Sequence, residues 1–579
     1  MKLREGLAHP FQWLGSRPRF ASLSALVAAC LVVRPWGDFP LNDDWQYAVV
    51  AKRFSEQREL VIDVPVAPSL VGQALLSFPV LRLAGFSHVA ARALTLSLAA
   101  LLLIAIDQVL RAAKTQEQVR AFFLVTLALS PFYFYLANTF MTEIYGLLPA
   151  MAAAEVWLRD RERGPSLSWP AVLGASALCG FAYWTRQFSA LVLPALVFAT
   201  AISLLVEHGL GKKSWRAVPQ LFASLMVLAG CVWAHSAWAQ ATQNARPEQQ
   251  SFAQIFAFDA DLWKMQPGIF LLYMTLFCLP LLVLFARRIG ARRAVLPALA
   301  LLGLGLFTHH LMQRFGFNAM GVRALRHTEF PFIGEVLINA GLGPITLSDR
   351  YWDDLPSPTH WSASATLAIE LVLIAASVGW THVAHAFARA LRERPRAAEV
   401  ALFGTTFALS SFVAAVQVEQ PWVHDRYYFP CALGLAIALA ALLDPLELSL
   451  PRRVAAGCAA VGLALFTVAG VHDEFRLNEG RWKLVNDAIA SGANPLTIDG
   501  GYEVNGWLHR TAPRDAVPIG CIGRCYCAHR AWECLDDSNR IGLSVASDYE
   551  PIQRLSMSAW LGEDPVLIWS RRKLSTIER

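Results

Sequence analysis

The sequence predicts a polytopic α-helical membrane protein with about thirteen transmembrane helices and a small C-terminal α/β domain outside the membrane. The first reason is composition: 55% of the 579 residues are hydrophobic and only 16% are charged, and the mean hydropathy is +0.41. An average soluble domain carries about 25% charged residues. The second reason is that apolar runs alternate regularly with basic loops. Arg and Lys in such loops account for the net charge of +6, which therefore indicates no nucleic acid partner.

Thirteen apolar runs meet the usual length of about 20 residues for a transmembrane helix. They begin near Phe20, Val89, Val119, Phe140, Trp169, Phe188, Ala217, Gly268, Ala294, Ser362, Val400, Tyr428 and Val454. A further apolar stretch, residues 67–85, is interrupted by Pro68, Gln73, Pro79 and Arg82. We expect it to form an interfacial helix in the first outer loop.

Basic residues concentrate in every second loop, which predicts a cytoplasmic N-terminus and an extracytoplasmic C-terminus. The basic loops contain Arg111, Lys114, Arg120, Arg159, Arg161, Arg163, Lys212, Lys213, Arg216, Arg287, Arg288, Arg292, Arg293, Arg389, Arg392, Arg394, Arg396, Arg452 and Arg453. The short loops between them contain few basic residues, namely Arg186, Arg246 and Arg426. The first apolar run lacks a small-residue cleavage pattern, so we expect a retained helix and not a signal peptide.

Two domains are expected from this pattern. Residues 1–470 form the transmembrane domain, with a first outer loop at 35–88 and a second large outer loop at 313–361. Residues 471–579 have ordinary polarity, a turn signal at 499–501 and a β-prone run at 566–569, which predicts a small extracytoplasmic α/β domain.

Four of the ten cysteines crowd into the C-terminal domain: Cys521, Cys525, Cys527 and Cys534. An even cluster in an oxidising compartment indicates disulfides, and the spacing, without two clean C-x-x-C pairs, favours them over a zinc site. Their connectivity is left open. The other six cysteines lie in apolar runs, where cysteine acts as a small hydrophobic residue.

The adjacent carboxylates Asp43 and Asp44 follow the first apolar run directly. Two negative charges beside lipid are costly, and such residues usually have a function. Under the predicted topology, further polar residues reach the same side of the membrane from distant parts of the chain. They are Tyr47, Asn138, Thr142, Glu143, Tyr145, Arg186, Gln187, His309, His310, Arg314, Arg323, Arg326, His327, His424, Asp425, Arg426 and Tyr427. Convergence on one face is what an active site built between helix ends requires.

Several of these residues have simpler interpretations. Glu143 is equally well explained as a residue that stabilises a helix N-terminus, and Arg186 as an anchor in the headgroup region. Arg323 and Arg326 fit a solvated helix face. We expect Trp45, Trp184 and Trp422 to be interfacial belt residues. The pair Asp43–Asp44 and the run from His424 to Tyr427 are harder to explain in this way, because both lie close to lipid.

The sequence resembles the membrane glycosyltransferases of the GT-C class, of the protein O-mannosyltransferase and lipid A aminoarabinose transferase type. Four features carry the resemblance: an acidic pair before Tyr47-Ala48 in the first outer loop, Phe140-Met141-Thr142-Glu143 at the start of the fourth span, Asp425-Arg426-Tyr427 at a late span, and about thirteen spans followed by an outer C-terminal domain. The family pair is often Asp-Glu, whereas here it is Asp-Asp followed by Trp45. If Tyr47-Ala48 sets the register, the resemblance places Asp43 in the catalytic position and Asp44 in the supporting one. The choice between them stays open.

The resemblance implies an inverting glycosyltransferase that takes its sugar from a polyprenyl-phosphate donor at the periplasmic face. It implies Asp43, Asp44 and Glu143 as catalytic candidates, and Arg426, Arg186, Arg323 and Arg326 as candidates for binding the donor phosphate. Tyr47, His424, Asp425 and Tyr427 are supporting candidates, with His424 and Asp425 expected to orient Arg426 or to close the pocket. The acceptor is a lipid, a polysaccharide or a protein. A divalent metal is compatible with the acidic residues, but no spacing demands one.

Two other classes of membrane protein share some of these features. A secondary transporter also has many spans with internal charges, but its site lies at the membrane midplane on broken helices. A ligase or polymerase of lipid-linked glycans shares the lipid phosphate leaving group but relies mainly on Arg and His. The acidic pair after the first span therefore favours a glycosyltransferase.

Overall fold

The structure is a computed structural model, and the structural statements below concern the residues that it describes. These are residues 17–62, 69–164, 167–209, 211–242, 260–285, 291–315, 336–338, 341–343, 363–418, 425–443, 449–512 and 538–573.

The first part of the chain is helical, and a short hairpin interrupts it between residues 337 and 342. The helices are α1 (Pro18–Val33), α2 (Asp44–Gln57), α3 (Val71–Ala84), α4 (His88–Ala112), α5 (Glu117–Ala128), α6 (Pro131–Ala137), α7 (Thr142–Arg161), α8 (Trp169–Tyr183), α9 (Val192–His208), α10 (Lys212–Ala241), α11 (Ala260–Phe285), α12 (Ala291–Phe315), α13 (Ala363–Ser377), α14 (Gly379–Glu393), α15 (Pro395–Val418), α16 (Phe429–Leu442) and α17 (Leu450–Ala490). The hairpin strands are β1 (Leu337–Ile338) and β2 (Gly341–Leu342), and 3-10 turns precede α9 (Gln187–Leu191) and α16 (Asp425–Tyr428).

Each of the thirteen predicted apolar runs contains one of these helices. Among the described residues, seven helical segments are long and apolar enough to cross a membrane, and α5 with α6 makes an eighth if the bent pair is one span. The chain is therefore an integral membrane protein. The count of thirteen spans stays a prediction, because helices such as α1 and α8 have 16 and 15 residues. The helix expected at residues 67–85 is present as α3.

Local sequence signals explain where several helices begin and bend. Ser87 caps α4 by accepting a hydrogen bond from the Ala90 amide at 3.0 Å. The 61° bend between α5 and α6 falls at Ser130-Pro131, where proline cannot continue the hydrogen-bond ladder. Large apolar side chains on α10, such as Phe222 and Trp233, are exposed, as expected for a helix that faces lipid.

Charged side chains cluster at both ends of the helices and leave an apolar middle. On α4, Arg92 and Asp107 lie at opposite ends, about 22 Å apart along the axis. Asp107 is paired with Arg19 and Arg120, each at 2.7 Å. On α7, Glu143 lies at the start, whereas Arg161 at the end contacts Glu399 at 3.0 Å. We call the end that contains Arg92 and Glu143 the site end.

The C-terminal part forms a small mixed sheet that packs on the end of α17. Its elements are β3 (Ile498–Asp499), α18 (Tyr502–Thr511), β4 (Asn539–Gly542), β5 (Tyr549–Ser556) and β6 (Val566–Arg572), and the strand order is β3-β4-β6-β5. Strands β3 and β4 are parallel, and the other neighbours are antiparallel. Leu484 and Val485 of α17 share an apolar core with Ile498, Ile541 and Leu567.

Strand β6 confirms the β-prone run at 566–569. Helix α17 runs without a break from Leu450 to Ala490, across the division expected between residues 470 and 471. That division stays a prediction. The continuous helix couples the C-terminal sheet to the membrane part, because one rigid element belongs to both.

Helices α15 and α16 cross closely at two glycines, and this contact gives a test of the packing. A Cβ added to Gly404 would overlap the Gly434 carbonyl oxygen, and a Cβ added to Gly434 would overlap the Gly404 carbonyl oxygen. We expect Gly404→Val to cost ~1–3 kcal/mol of stability because the two backbones must separate. Gly457→Val on α17 meets open space and is the matched control. Equal melting temperatures for both variants in detergent would contradict this packing.

Candidate active site

Arg92 fixes the path of the loop that follows α1. Its guanidinium donates to the carbonyls of Pro35, Gly37 and Phe39 at 2.7–2.9 Å, and to the Asn138 carbonyl at 2.8 Å. A buried arginine with several carbonyl acceptors has its donors satisfied, and each hydrogen bond restrains the loop. The acidic pair follows this restrained segment directly.

Asp44 faces inward and braces the loop. Its carboxylate accepts hydrogen bonds from the Leu41 amide at 2.6 Å and from the Phe140 amide at 3.1 Å, and its side chain is buried. Burial raises the pKa of the Asp44 carboxyl to about 7, although the Arg92 charge and the two amides act in the opposite direction. Asp44 therefore ties the start of α2 to the segment before α7.

Asp43, in contrast, contacts side chains. Its Oδ2 lies 2.7 Å from Nη1 of Arg426, and its Oδ1 accepts a short hydrogen bond from the Tyr502 hydroxyl. Gln46 Nε2 donates to Asp43 Oδ1 at 3.3 Å and to the Tyr502 oxygen at 2.6 Å. The Asp43 side chain is 17% exposed, more than the 7% of Arg426. The partially exposed acid of the pair is thus the one held by side chains.

A second acid–arginine pair lies behind the first. Glu143 contacts Arg186 at 3.1 Å, both side chains are buried, and Arg186 also donates to Thr142 Oγ1 at 3.3 Å. The Tyr427 ring lies 5.1 Å from the Arg186 guanidinium carbon and 5.2 Å from that of Arg426, within cation–π range. Tyr427 therefore connects the two pairs.

Tyr47 completes the group. It lies one turn after Asp43 on α2, is 2% exposed, and its phenol is influenced by the charges of Arg426, Asp43, Arg186 and Glu143. Burial is the main reason that the pKa of Tyr47 is raised above its usual range, so the hydroxyl keeps its proton. It stays available as a hydrogen-bond donor at neutral pH.

Asp425 holds part of the second loop. Its two oxygens accept hydrogen bonds from the Val336 amide at 2.9 Å and from the Leu337 amide at 2.6 Å. Burial raises the pKa of Asp425 to about 7, against the effect of these amides. Asp425 thereby places the β1–β2 hairpin beside the turn that contains Arg426.

The structure therefore brings Asp43, Tyr47, Glu143, Arg186, Arg426 and Tyr427 together at the site end. It turns Asp44 toward the backbone and Asp425 toward the hairpin. Arg323, Arg326, His424, Trp422, Cys521, Cys525, Cys527 and Cys534 lie outside the described residues. Among the residues described, no group of three or more His, Cys, Asp or Glu side chains is arranged to hold a metal.

Sequence reasoning missed the residues that the C-terminal part brings to the site. Tyr502 contacts Asp43, and Glu503 accepts a hydrogen bond from the Asn42 amide at 2.9 Å while pairing with Arg481 at 2.9 Å. The Asp499-Gly500-Gly501 turn indicated only that a new element begins there. No local pattern indicated which residue that element would contact.

The interpretation of Trp45 as a belt residue is wrong. Trp45 is 1% exposed, and its ring lies 5.8 Å from that of Tyr502 in an edge-to-face arrangement. A Cβ added to Gly506 of α18 would overlap the Trp45 ring. An indole after an acidic pair therefore serves here as the surface on which α18 packs. Trp184 is half-buried.

The fold and this site define an integral membrane protein, mostly α-helical, with two buried acid–arginine pairs at one end of its helices. No protein-family model matches the chain, and no curated protein matches it. The chain is similar to the solved structure of ArnT from Cupriavidus metallidurans bound to undecaprenyl phosphate, at 12% identity and a TM-score of 0.44 over 96% of this chain and 98% of ArnT.

It is also similar to the oligosaccharyltransferase AglB from Archaeoglobus fulgidus in complex with an inhibitory peptide and a dolichol-phosphate. The identity is 14% and the TM-score 0.39, over 82% of this chain and 58% of AglB. ArnT and AglB are glycosyltransferases of the GT-C class, the class that the sequence motifs resemble. With TM-scores below 0.5, these similarities assign no activity, and function is argued below from the residues of this chain.

The buried state of Asp44 predicts a pH dependence of stability. Because its folded-state pKa of about 7 exceeds the ordinary 3.8, the protonated form favours the folded state, and this stabilisation is lost progressively as the pH rises from about 4 to about 7. The loss amounts to at most ~1.4 kcal/mol per pH unit. Asp44→Asn should be less stable at pH 5, since one backbone amide loses its acceptor, but should lack this pH dependence.

The measurement is the thermal stability of the two proteins in detergent between pH 5 and 8. Asp548→Asn, which removes an exposed carboxylate of the C-terminal part, is the control. Parallel curves for wild type and Asp44→Asn would contradict the assignment.

Proposed function

We propose that this protein is an inverting glycosyltransferase that moves a sugar from a polyprenyl-phosphate donor to a hydroxyl or amine of a lipid, polysaccharide or protein acceptor. The observation that carries the proposal is the contact between Asp43 and Arg426 at the site end of the helices. A carboxylate and a cation, the two groups that the transfer needs, lie side by side there and support the proposal.

Arg426 is assigned to the phosphate of the donor. A guanidinium binds phosphate oxygens through two parallel hydrogen bonds and keeps its charge at all relevant pH values. Arg186 also lies close to the Tyr427 ring and adds a second positive charge. A polyprenyl tail lies in lipid while its phosphate stays near the interface, which is compatible with a site at helix ends.

Asp43 is assigned as the general base. It takes the proton from the acceptor O–H or N–H while the acceptor atom forms a bond to the anomeric carbon of the sugar. The bond from that carbon to the phosphate oxygen breaks, and its electron pair stays on the phosphate beside Arg426. A single displacement of this kind inverts the anomeric carbon. Glu143 is the further catalytic candidate, held by Arg186.

The position of the site supports this function over transport. Arg92, which holds the loop of Asp43, lies about 22 Å along α4 from the charged cluster at the other end. A transporter site at the midplane would lie between the two clusters. The carboxylate Asp43 also favours a transferase with an acidic base over a ligase that relies on Arg and His.

The orientation belongs to the same proposal. The basic loops support a cytoplasmic N-terminus and a C-terminal domain outside the bacterial inner membrane, with its clustered cysteines as disulfides. Nucleotide sugars are cytoplasmic, so a transferase at the outer face needs a lipid-linked donor. Mass spectrometry of envelope glycans from a deletion strain would identify the sugar and the acceptor.

The first prediction from this function concerns Asp43. Asp43→Asn keeps the shape of the side chain but removes its basicity, so transfer from a purified polyprenyl-phosphate sugar in nanodiscs should fall by ~10²–10⁴. We expect the variant to insert normally, because Asp43 lies in the loop before α2 and its amide oxygen can keep one of the two sets of contacts, either with Arg426 or with Tyr502 and Gln46. Wild-type turnover by Asp43→Asn would exclude it as the base and leave Asp44 and Glu143 to be tested.

The second prediction separates a phosphate-binding role of Arg426 from a membrane anchor. An anchor tolerates lysine, because both side chains reach the interface, whereas a phosphate site needs the two parallel hydrogen bonds of a guanidinium. Arg426→Lys should therefore lower donor affinity and turnover together, by ~10-fold or more, and Arg426→Ala should lower them further. Arg554→Lys, at an exposed position of β5, is the control. If Arg426→Lys matches the control, Arg426 is not the phosphate ligand.

A further inference from the structure

We propose that the C-terminal part completes this site: Tyr502 is a positioning residue that holds Oδ1 of Asp43 while the donor phosphate draws Arg426 away from Oδ2. This inference rests on the proposed function and adds the order in which donor binding and proton transfer occur. The donor binds first, and its phosphate frees the oxygen that then accepts the proton.

The contacts of Asp43 divide between its two oxygens. Oδ2 contacts Arg426 at 2.7 Å, whereas Oδ1 accepts hydrogen bonds from Tyr502 and Gln46. Gln46 also donates to the Tyr502 oxygen at 2.6 Å, so the three side chains form a closed triangle. One oxygen is thus held by a cation that the substrate attracts, and the other by neutral donors that it does not.

Tyr502 is itself held rigidly in place. It is the first residue of α18, and the next residue, Glu503, is fixed by Arg481 at 2.9 Å and by the Asn42 amide at 2.9 Å. One turn further, Gly506 packs directly against Trp45. The backbone of residues 42–45 is therefore connected to α18 on both sides of Asp43, which fixes the distance between Tyr502 and the carboxylate.

The change of partner of Arg426, from Asp43 to the donor phosphate, follows from the charges of these groups. A carboxylate paired with a guanidinium is a weak base, since the positive charge favours its ionised form. When a phosphate binds Arg426, that charge is shared with a second anion, and Asp43 becomes a better proton acceptor at Oδ2. Without the Tyr502 hydroxyl, only the longer hydrogen bond from Gln46 at 3.3 Å would restrain Oδ1 of the released carboxylate, and misplacement by about 1 Å can cost ~10²-fold in rate.

The bonds that break and form are those of the proposed function. The acceptor O–H or N–H bond breaks and its proton goes to Oδ2 of Asp43. The acceptor atom binds the anomeric carbon, and the phosphate leaves with the electron pair to Arg426. Tyr502 keeps its own proton throughout and contributes position alone.

The test uses the full-length protein in nanodiscs with a polyprenyl-phosphate sugar that the wild type accepts. Tyr502→Phe keeps the ring that packs against Trp45 and removes the hydroxyl. We expect kcat to fall by about 10-fold or more, with the KM for the donor within about 2-fold of wild type, because the hydroxyl does not touch the phosphate. The acid limb of the pH profile of kcat/KM should move to higher pH, since the carboxylate loses a donor that favours its ionised form.

Tyr549→Phe is the matched control. Tyr549 lies on β5 of the same C-terminal part, is buried, and its hydroxyl accepts a hydrogen bond from Arg572 at 3.4 Å. This variant should retain wild-type kcat and an unshifted pH profile. A purely structural role of Tyr502 would change the melting temperature without moving the pH profile.

A second substitution at the same position tests the hydrogen bond even if Tyr502→Phe misfolds. Replacing Tyr502 by 3,5-difluorotyrosine gives a more acidic hydroxyl and a stronger hydrogen bond in nearly the same shape, so the acid limb should move to lower pH. The inference is overturned if both changes at residue 502 leave the pH profile where the control at residue 549 leaves it. Inactivity of the wild type toward every polyprenyl-phosphate sugar would instead overturn the proposed function, and this inference with it.

Discussion

The buried ion pair between Asp43 and Arg426 is the interaction on which the rest of the site depends. Taking two charges out of water is costly, and the cost is offset only when the geometry is good and the remaining polar atoms are hydrogen-bonded. Here Tyr502 and Gln46 donate hydrogen bonds to the other oxygen of the Asp43 carboxylate, and the Tyr427 ring lies against the Arg426 guanidinium. The pair joins the loop after α1 to the turn before α16, two segments far apart in the sequence. Arg186 and Glu143 are then brought within reach through Tyr427.

The same physical constraint shapes the opposite end of the helices. Asp107 is fully buried and contacts Arg19 and Arg120, and Glu399 contacts Arg161 and Arg396. Charges within an apolar bundle are tolerated where they are paired, and they lie at the helix ends because water and headgroups are nearer there. At the opposite end the acids are the buried members, with Asp107 at 0% and Glu399 at 1% exposed, whereas at the site end the acid Asp43 is 17% exposed. The pairs at the other end join helix to helix and serve stability.

The sequence predicted those parts of the fold and site that depend on local patterns. The apolar runs predicted the helices. The acidic pair indicated Asp43 as a candidate site residue, and the scarcity of basic residues in the short loops indicated Arg186 and Arg426. Tyr502, Glu503 and Arg481 were missed, because their importance depends on where α18 and α17 meet a loop that is distant in the sequence. Trp45 was misassigned for the same reason: an indole near a predicted membrane boundary has the composition of a belt residue, and only its tertiary contact with Gly506 identifies it as buried packing. The count of thirteen spans stays a prediction: it uses the length of the apolar runs and their alternation with basic loops, and helices such as α8 have only 15 residues.

Asp43 and Asp44 are adjacent and chemically identical, so their environments must decide their roles. Asp44 accepts hydrogen bonds from two backbone amides. Such partners are fixed by the fold, and no substrate can replace them without unfolding the loop. Asp43 is held by side chains, one of which carries a charge that an anionic ligand competes for. An acid whose partner a substrate can displace changes its basicity when the substrate binds, whereas an acid bound to backbone does not. Under the proposed function the two acids therefore have different roles: Asp44 maintains the conformation of the loop that carries Asp43, and Asp43 responds to the donor phosphate.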